Sequence, residues 1–298
     1  FSDKPNLNNE LFKEAEKCLI ELAKITKEKS GDNSDEYISS LSQLAIFYSS
    51  IGNFDFAQRN YKEALSILKP NKETNKDLYY SLLLNLVLVE YNKNVSQPDL
   101  EEIEKFYYQK LTDNYLFLSE DERVSFSLNT ERKFDIINSI YINKKGEKSG
   151  VSLYNNTLAL KNIALYSNQN IRDYLKVANS RIKNNYQSLL EQKERFLYTK
   201  SESKEIKFNL NKKQRDLIGQ ITSDSNYHFI NPTEIKWENI KKSLKDNEIA
   251  IEIINIPTNK AGKNDREYKT KLIKNNSVVP EVIQLFSESV LSKKKKKK

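Results

Sequence analysis

The sequence predicts a mainly α-helical chain, a solenoid of paired helices followed by a helical linker with a hairpin and then the first strands of an α/β unit. Three observations predict it. Small and apolar residues recur at helical spacing in two neighbouring runs separated by Gly52. The same pattern returns at an offset of 42 residues. Beyond residue 223 helical periodicity gives way to β-branched runs.

The helix pair around residues 40–70 is the clearest element. Leu41, Leu44, Ala45 and Tyr48 fall on one helical face, and Gly52 ends the run, as a residue free to take positive φ does. Ala57, Tyr61, Ala64, Leu65 and Leu68 form the facing stripe, which Pro70 stops. The three alanines let two helix axes approach closely, and the two tyrosines fill the space beside them. This order of residues resembles the tetratricopeptide repeat, a helix–turn–helix unit of roughly 34 residues.

A lone repeat cannot bury its own apolar face, so neighbours are expected. Phe12, Ala15, Leu19 and Ile25 stand 42 positions before Phe54, Ala57, Tyr61 and Ile67. Tyr37, Leu41 and Leu44 stand 42 before Tyr79, Leu83 and Leu86. The period is similar to the lengthened repeats of the kinesin light chain type. Residues 1–112 are thus expected to hold about 2.5 repeats, the first represented only by its second helix, near 8–28. With Phe1 leading and no Met anywhere, the chain is expected to begin inside a longer protein.

The third repeat is expected to be transitional. Its first helix, 77–91, is apolar nearly all round. Pro98 and Asp99 are expected to open its second helix, to about 111. Val87 and Asp99 stand where Ala45 and Ala57 stood.

Residues 113–222 read as a helical linker. Ser119-Glu120-Asp121-Glu122 has the form of a capping box, predicting a helix to about 141. A loop over 144–150 follows, then helices over 151–166 and 170–198, the second with Leu175, Ala178, Ile182, Leu189 and Phe196 inward. A break at 201–203 separates it from a helix over 204–222. There Ile206, Leu210, Leu217 and Ile221 make a coiled-coil-like seam, so an antiparallel helical hairpin is expected.

Residues 223–292 differ. A loop with Pro232 leads to a short helix over 237–244. A strand over 248–256 is so rich in isoleucine that it reads as buried. A second strand is expected over 268–273, a turn at Asn275-Asn276, and partly extended chain over 278–286. So few strands cannot close a sheet, so an α/β domain is expected to have begun and been cut off. Residues 293–298 are six lysines, a poly-Lys tail that is a natural basic tail, an added tag or, the favoured reading, the translation of a run of A.

Composition excludes several function classes. Charged residues are 30% of the 298 and mean hydropathy is −0.72. No apolar run approaches the ~20 residues of a membrane span. A single cysteine gives no internal disulfide framework, which fits the cytoplasm. The net charge is +8, but the lysine tail supplies six of it, leaving +2 for the rest. Nucleic acid is therefore not the expected partner. One His and one Cys cannot build a standard zinc site, and no Gly-rich phosphate loop occurs, so no cofactor is expected. Abundant Lys, Asn, Ile and Tyr fit AT-rich coding and a bacterial source.

From Tyr115 onward the order of segments resembles the TPR–CHAT proteins, in which such repeats precede a caspase-like CHAT domain. The matching pieces are Phe117-Leu118-Ser119-Glu120 with Arg123, then Leu153-Tyr154-Asn155 with Leu158-Ala159-Leu160-Lys161-Asn162. Trp237 with Ile240 and Leu244 follows, then Glu248, Ala250, Ile251 and Glu252, Tyr268, and Pro280 with Leu285. The resemblance implies a cysteine peptidase related to caspases and separase, with a His–Cys dyad deep in the α/β domain. No Thr-His-Gly or Ala-Cys motif occurs here. No catalytic residue is carried over, and the chain as given is expected to be inactive. A stand-alone TPR adaptor is the alternative.

Two residues could suggest a dyad. Cys18 lies on the stripe Leu11, Ala15, Leu19, Leu22 and reads as a small core residue. His228 sits in a loop with no nucleophile near and reads as a surface or packed histidine. The expected functional surface is the repeat groove, which would take a protein or peptide partner. By repeat geometry its first-helix positions are Ser39, Ser42, Ile46 and Ser49, then Ser81, Leu84, Leu88 and Tyr91. None is Lys or Arg, which argues against a clamp for a peptide C-terminus. An amphipathic helix or extended segment suits it better. Against that stands the possibility that helices after Ser119 simply cover the leucines of repeat three.

Overall fold

A computed structural model describes residues 10–94, 100–115, 120–143, 147–198, 204–224, 233–260 and 263–287. Among them are ten α-helices and three strands. Pro98, Asp99, Ser119 and His228 lie outside the described residues, so the capping box, the opening of the third repeat's second helix and the histidine's setting do as well.

The first helices stack as expected. α1 (Glu10–Ser30), α2 (Asp35–Ser50) and α3 (Phe54–Leu68) are followed by a 3₁₀ turn, Lys69–Asn71, that carries Pro70. Ser34 caps α2 by accepting a hydrogen bond from the Tyr37 N–H. Gly52 takes φ +77° between α2 and α3. Ala45, Ala57 and Ala64 are fully buried in one cluster with Leu41, Tyr48 and Tyr61. Each Leu or Tyr buried there contributes about 1.5–3 kcal/mol.

α1 departs from expectation. It meets α2 through Leu19 and Ala23, a Tyr48 hydroxyl donating to Glu16 at 2.8 Å, and a Thr26–Ser40 hydroxyl contact. Cys18 is exposed rather than core, because it lies on the side away from α2, along with Ala15 and the exposed Leu11.

α4 (Lys76–Asn92) is shared between two cores. Leu82, Leu86 and Val89 pack toward α2 and α3. Tyr80, Leu84 and Val87 pack toward α5 (Glu101–Tyr115) and α6 (Glu120–Asn143). At the back of that second core sits a buried polar network. Glu104 accepts from the Tyr141 hydroxyl at 2.8 Å and the Asn156 amide at 2.9 Å. The same amide donates to Asn138, and Tyr108 donates to Asn156.

α7 (Glu147–Val177) overturns two expectations. Residues 147–150, read as loop, are its first turn. The polar run 167–169, read as a break, is helical. Polar residues without Gly or Pro do not stop a helix. The break falls at Ala178-Asn179, where the Asn179 side chain accepts from the Ile182 N–H at 3.0 Å and caps α8 (Ser180–Tyr198). α8 and α9 (Lys204–Thr222) run antiparallel, since Asn185 meets Gln220 and Gln192 meets Lys213. Leu189, Leu210, Leu217 and Ile221 are buried between them. Ile206, expected in that seam, is 45% exposed, because it lies at the end of the hairpin where α8 finishes and α9 begins, beside a cleft with Phe196 and Leu210.

After α10 (Trp237–Ser243) the chain forms an antiparallel sheet of β1 (Ile249–Lys260), β2 (Lys263–Lys274) and β3 (Glu281–Ser287), in that order. Register pairs Glu252 with Lys271 and Ile253 with Thr270, which pairs in turn with Ile283. A bulge interrupts β2–β3 between Tyr268 and Lys269. One face rests on the helices through Ile254 and Ile273. The other is open. Ile251 and Ile253 are 59% and 60% exposed, so β1 is not the buried strand its composition suggested. It has two apolar faces, and only one is covered.

Some of the residues quoted for the TPR–CHAT resemblance meet at this junction, while Phe117, Leu118 and Ser119 lie outside the described residues. Tyr154 and Leu158 of α7, Trp237 of α10 and Ile273 of β2 form one cluster with Ile240, Leu244 and Ala250. The Trp237 N–H donates to Asn155, and Lys161 pairs with Glu252. Lys271, on the central strand, is fully buried. Its ammonium nitrogen bonds the Leu153 carbonyl and, at 2.6 Å, the Thr157 hydroxyl.

Candidate functional site

α2 carries the outer wall of the candidate groove. Its buried side faces α1 and α3, which leaves Ser39, Ser42, Ile46 and Ser49 on the opposite side. Ser39 is exposed, Ser42 and Ser49 are half-buried, and Ile46 is 52% exposed. Three small hydroxyl side chains around one open isoleucine make a shallow surface with a single apolar anchor point. α2 contains no Lys or Arg, and Asp35 and Glu36 occupy its first turn. This wall is thus neutral to acidic, and carboxylates in that position also suit the helix N-terminus.

The rigidity of the wall comes from behind it. Tyr37 donates to Glu63 of α3 at 2.7 Å, and Tyr48 donates to Glu16 of α1. Burial pushes both phenols up to about 12, and the carboxylate each one bonds pushes the same way. Both stay protonated and keep donating across the whole neutral range. These tyrosine–carboxylate ties bind α2 to both neighbours, and sequence reasoning missed them. Nothing in the local pattern marks a Glu as the partner of a Tyr 26 or 32 positions away.

The positions expected on α4 fare differently. Ser81 is half-buried and accepts from the Lys133 ammonium of α6 at 3.0 Å. Leu84 is fully buried in the core with α5 and α6. Leu88 and Tyr91 are partly buried against that same core. Leu84 is therefore core in this structure and not part of an open surface. The helix after residue 119 covers it, as a patch of that much leucine requires. Burial also pulls the Lys133 ammonium below its ordinary value, with Lys110 adding to the shift. What remains open is the wall formed by α2.

No group of three or more metal-ligating side chains occurs among the described residues. No helix among them is long and apolar enough to cross a membrane. Comparison with curated proteins and with solved structures finds no match. One family model does match, described as Tetratricopeptide repeat, over residues 7–69. That span takes in α1, the open α2 wall and the alanine seam of α3, and it is here that the chain is similar to the tetratricopeptide repeats.

Proposed function

We propose that the chain is a protein-binding arm whose repeat groove, walled by Ser39, Ser42, Ile46 and Ser49, seats an amphipathic helix or extended segment of a partner. One observation carries the reading. α2 is held rigidly from behind by α1 and α3 while Ile46 and its serine neighbours stay open. Repeats of this kind generally serve protein–protein contact, and rigid placement lowers the ordering cost of binding. Asp35 and Glu36 favour a segment carrying a cation near its point of contact.

The arm is further proposed to belong to a TPR–CHAT cysteine peptidase. On that reading residues 1–112 are the repeats, 113–222 the linker and 223–292 the start of the CHAT domain, with the dyad encoded downstream. What supports it is the order of the quoted segments and their convergence around Trp237. The alternative is a stand-alone adaptor.

Photocrosslinking tests the groove. A benzophenone amino acid at Ser39 or Ile46, and at Lys24 on α1 as a control, is expressed in the source cells. The same adduct from both groove positions and none from Lys24 supports the reading, and equal labelling at all three overturns it. Reading the gene past residue 298 tests the peptidase: an in-frame domain with His and Cys motifs supports it, and none leaves the adaptor.

A further inference from the structure

A second surface, independent of the repeat groove, lies on the α8–α9 hairpin. Its buried seam opens at one end into a cleft of about 320 Å³, floored by Phe196, Ile206 and Leu210. Among the described residues only α8 and α9 line it. The rim, among the described residues, is Gln192, Arg195, Asn209 and Lys213, two cations and two amides, with no carboxylate. The Lys213 ammonium is bonded at 2.6 Å to the Gln192 side-chain oxygen, a neutral acceptor. Further along the same face, where Asn185 and Ser188 oppose Asp216 and Gln220, Asp216 offsets Lys213 in the described lining. The face is thus graded, cationic over the apolar opening and charge-balanced beyond it.

We propose that this cleft docks an acidic amphipathic helix from a partner protein, with apolar side chains on Phe196, Ile206 and Leu210 and carboxylates on Arg195 and Lys213. Two parallel-sided helices with their seam open on one side present the groove that a third helix fills at i, i+3, i+4 and i+7 spacing. Charge selects the occupant. Residues 180–222 carry ten Lys and Arg against five Asp and Glu, so a second copy of the hairpin is repelled. The lysine run at 293–298 has the wrong sign as well. Asp216 sets the direction, since the acidic end of the helix lies over Arg195.

The test uses the full chain and two fluorescein-labelled peptides. One has Leu at the four anchor spacings and Glu on its flanks. The other replaces every Glu with Lys. Fluorescence anisotropy is expected to show saturable binding of the Glu peptide and binding of the Lys peptide weaker by about tenfold or more. Joint Arg195→Glu and Lys213→Glu substitution reverses that preference, and Arg195→Gln with Lys213→Gln reduces it. Both residues are exposed, so circular dichroism stays unchanged. Equal binding of the two peptides overturns the proposal, as does no saturable binding of the Glu peptide or unchanged binding to the charge-reversed variant. A concentration-dependent dimer in sedimentation, abolished by the same reversal, overturns it in favour of self-association.

Discussion

Gly150 in the first turn of α7 lies against Pro280, just before β3, so closely that a Cβ on the glycine would sit 2.7 Å from the proline carbonyl oxygen. Its glycine is therefore needed for close approach, not for a turn. Gly150→Ala forces helix and strand apart and is expected to cost about 1–3 kcal/mol. Gly219 on exposed α9 has nothing within 4 Å of such a Cβ, and Gly219→Ala is expected to gain about 0.4–1 kcal/mol. Urea denaturation of the two variants checks the pair. Equal effects would show that the helix–sheet contact is loose.

Lys271 should make stability depend on pH. Burial holds its amine well below the ordinary 10.5, and nearby Lys161 pushes the same way, while Glu252 opposes. Tyr154 is the other titratable group facing it. Between the folded value and 10.5 the unfolded chain binds the extra proton, so stability rises with pH through that window. Lys271→Met is expected to flatten this slope. Denaturation midpoints of both proteins between about pH 7 and 9.5 test it, below the range where tyrosines titrate. Parallel slopes would exclude the lysine as their source.

The alanine seam makes a third prediction. Ala64 has no free surface in the cluster with Tyr61 and Leu68. Ala64→Leu overpacks it and should cost about 1–3 kcal/mol, whereas Ser39→Ala on the open side of α2 should stay within about 0.5 kcal/mol. Thermal unfolding of each variant checks the contrast. A tolerated leucine would mean that α2 and α3 can move apart without loss.

Trp237 separates ring from indole N–H. The ring is buried with Tyr154, Leu158 and Ile273, but its Nε1 has no partner among the described residues. Trp237→Phe removes a polar atom that gains nothing in the fold, so it should cost no more than about 1 kcal/mol. Trp237→Ala should cost about 3–5 kcal/mol. Chemical denaturation distinguishes them, and a severe loss in the phenylalanine variant would reveal a hidden partner for the N–H.

Much of the architecture is legible because local chemistry decides it. Gly52, Pro70 and the three alanines fix the α2–α3 pair within thirty residues. What escapes reading is settled at a distance or by a single atom. One Asn179 side chain caps α8 where α7 stops, and no composition shift marks the place. The isoleucines of β1 show a strand but not which of its faces is covered. Leu84 looks like groove until α6, whose Lys133 lies 52 positions past Ser81, closes over it. Nothing in the local pattern marks Lys271 as buried, because its partners on α7 lie 114 and 118 positions upstream. The side of α2 that Ser39, Ser42 and Ser49 occupy could be read in advance since helix periodicity is local. Its tyrosine braces could not.

The distance between Leu153 and Lys271 also sets a timetable for synthesis. At ribosomal speeds of about 5–20 residues per second, α7 leaves the exit tunnel on the order of ten seconds before the strand that caps it. Meanwhile Tyr154 and Leu158 face solvent bare, and nascent-chain chaperones have their opening on this helix.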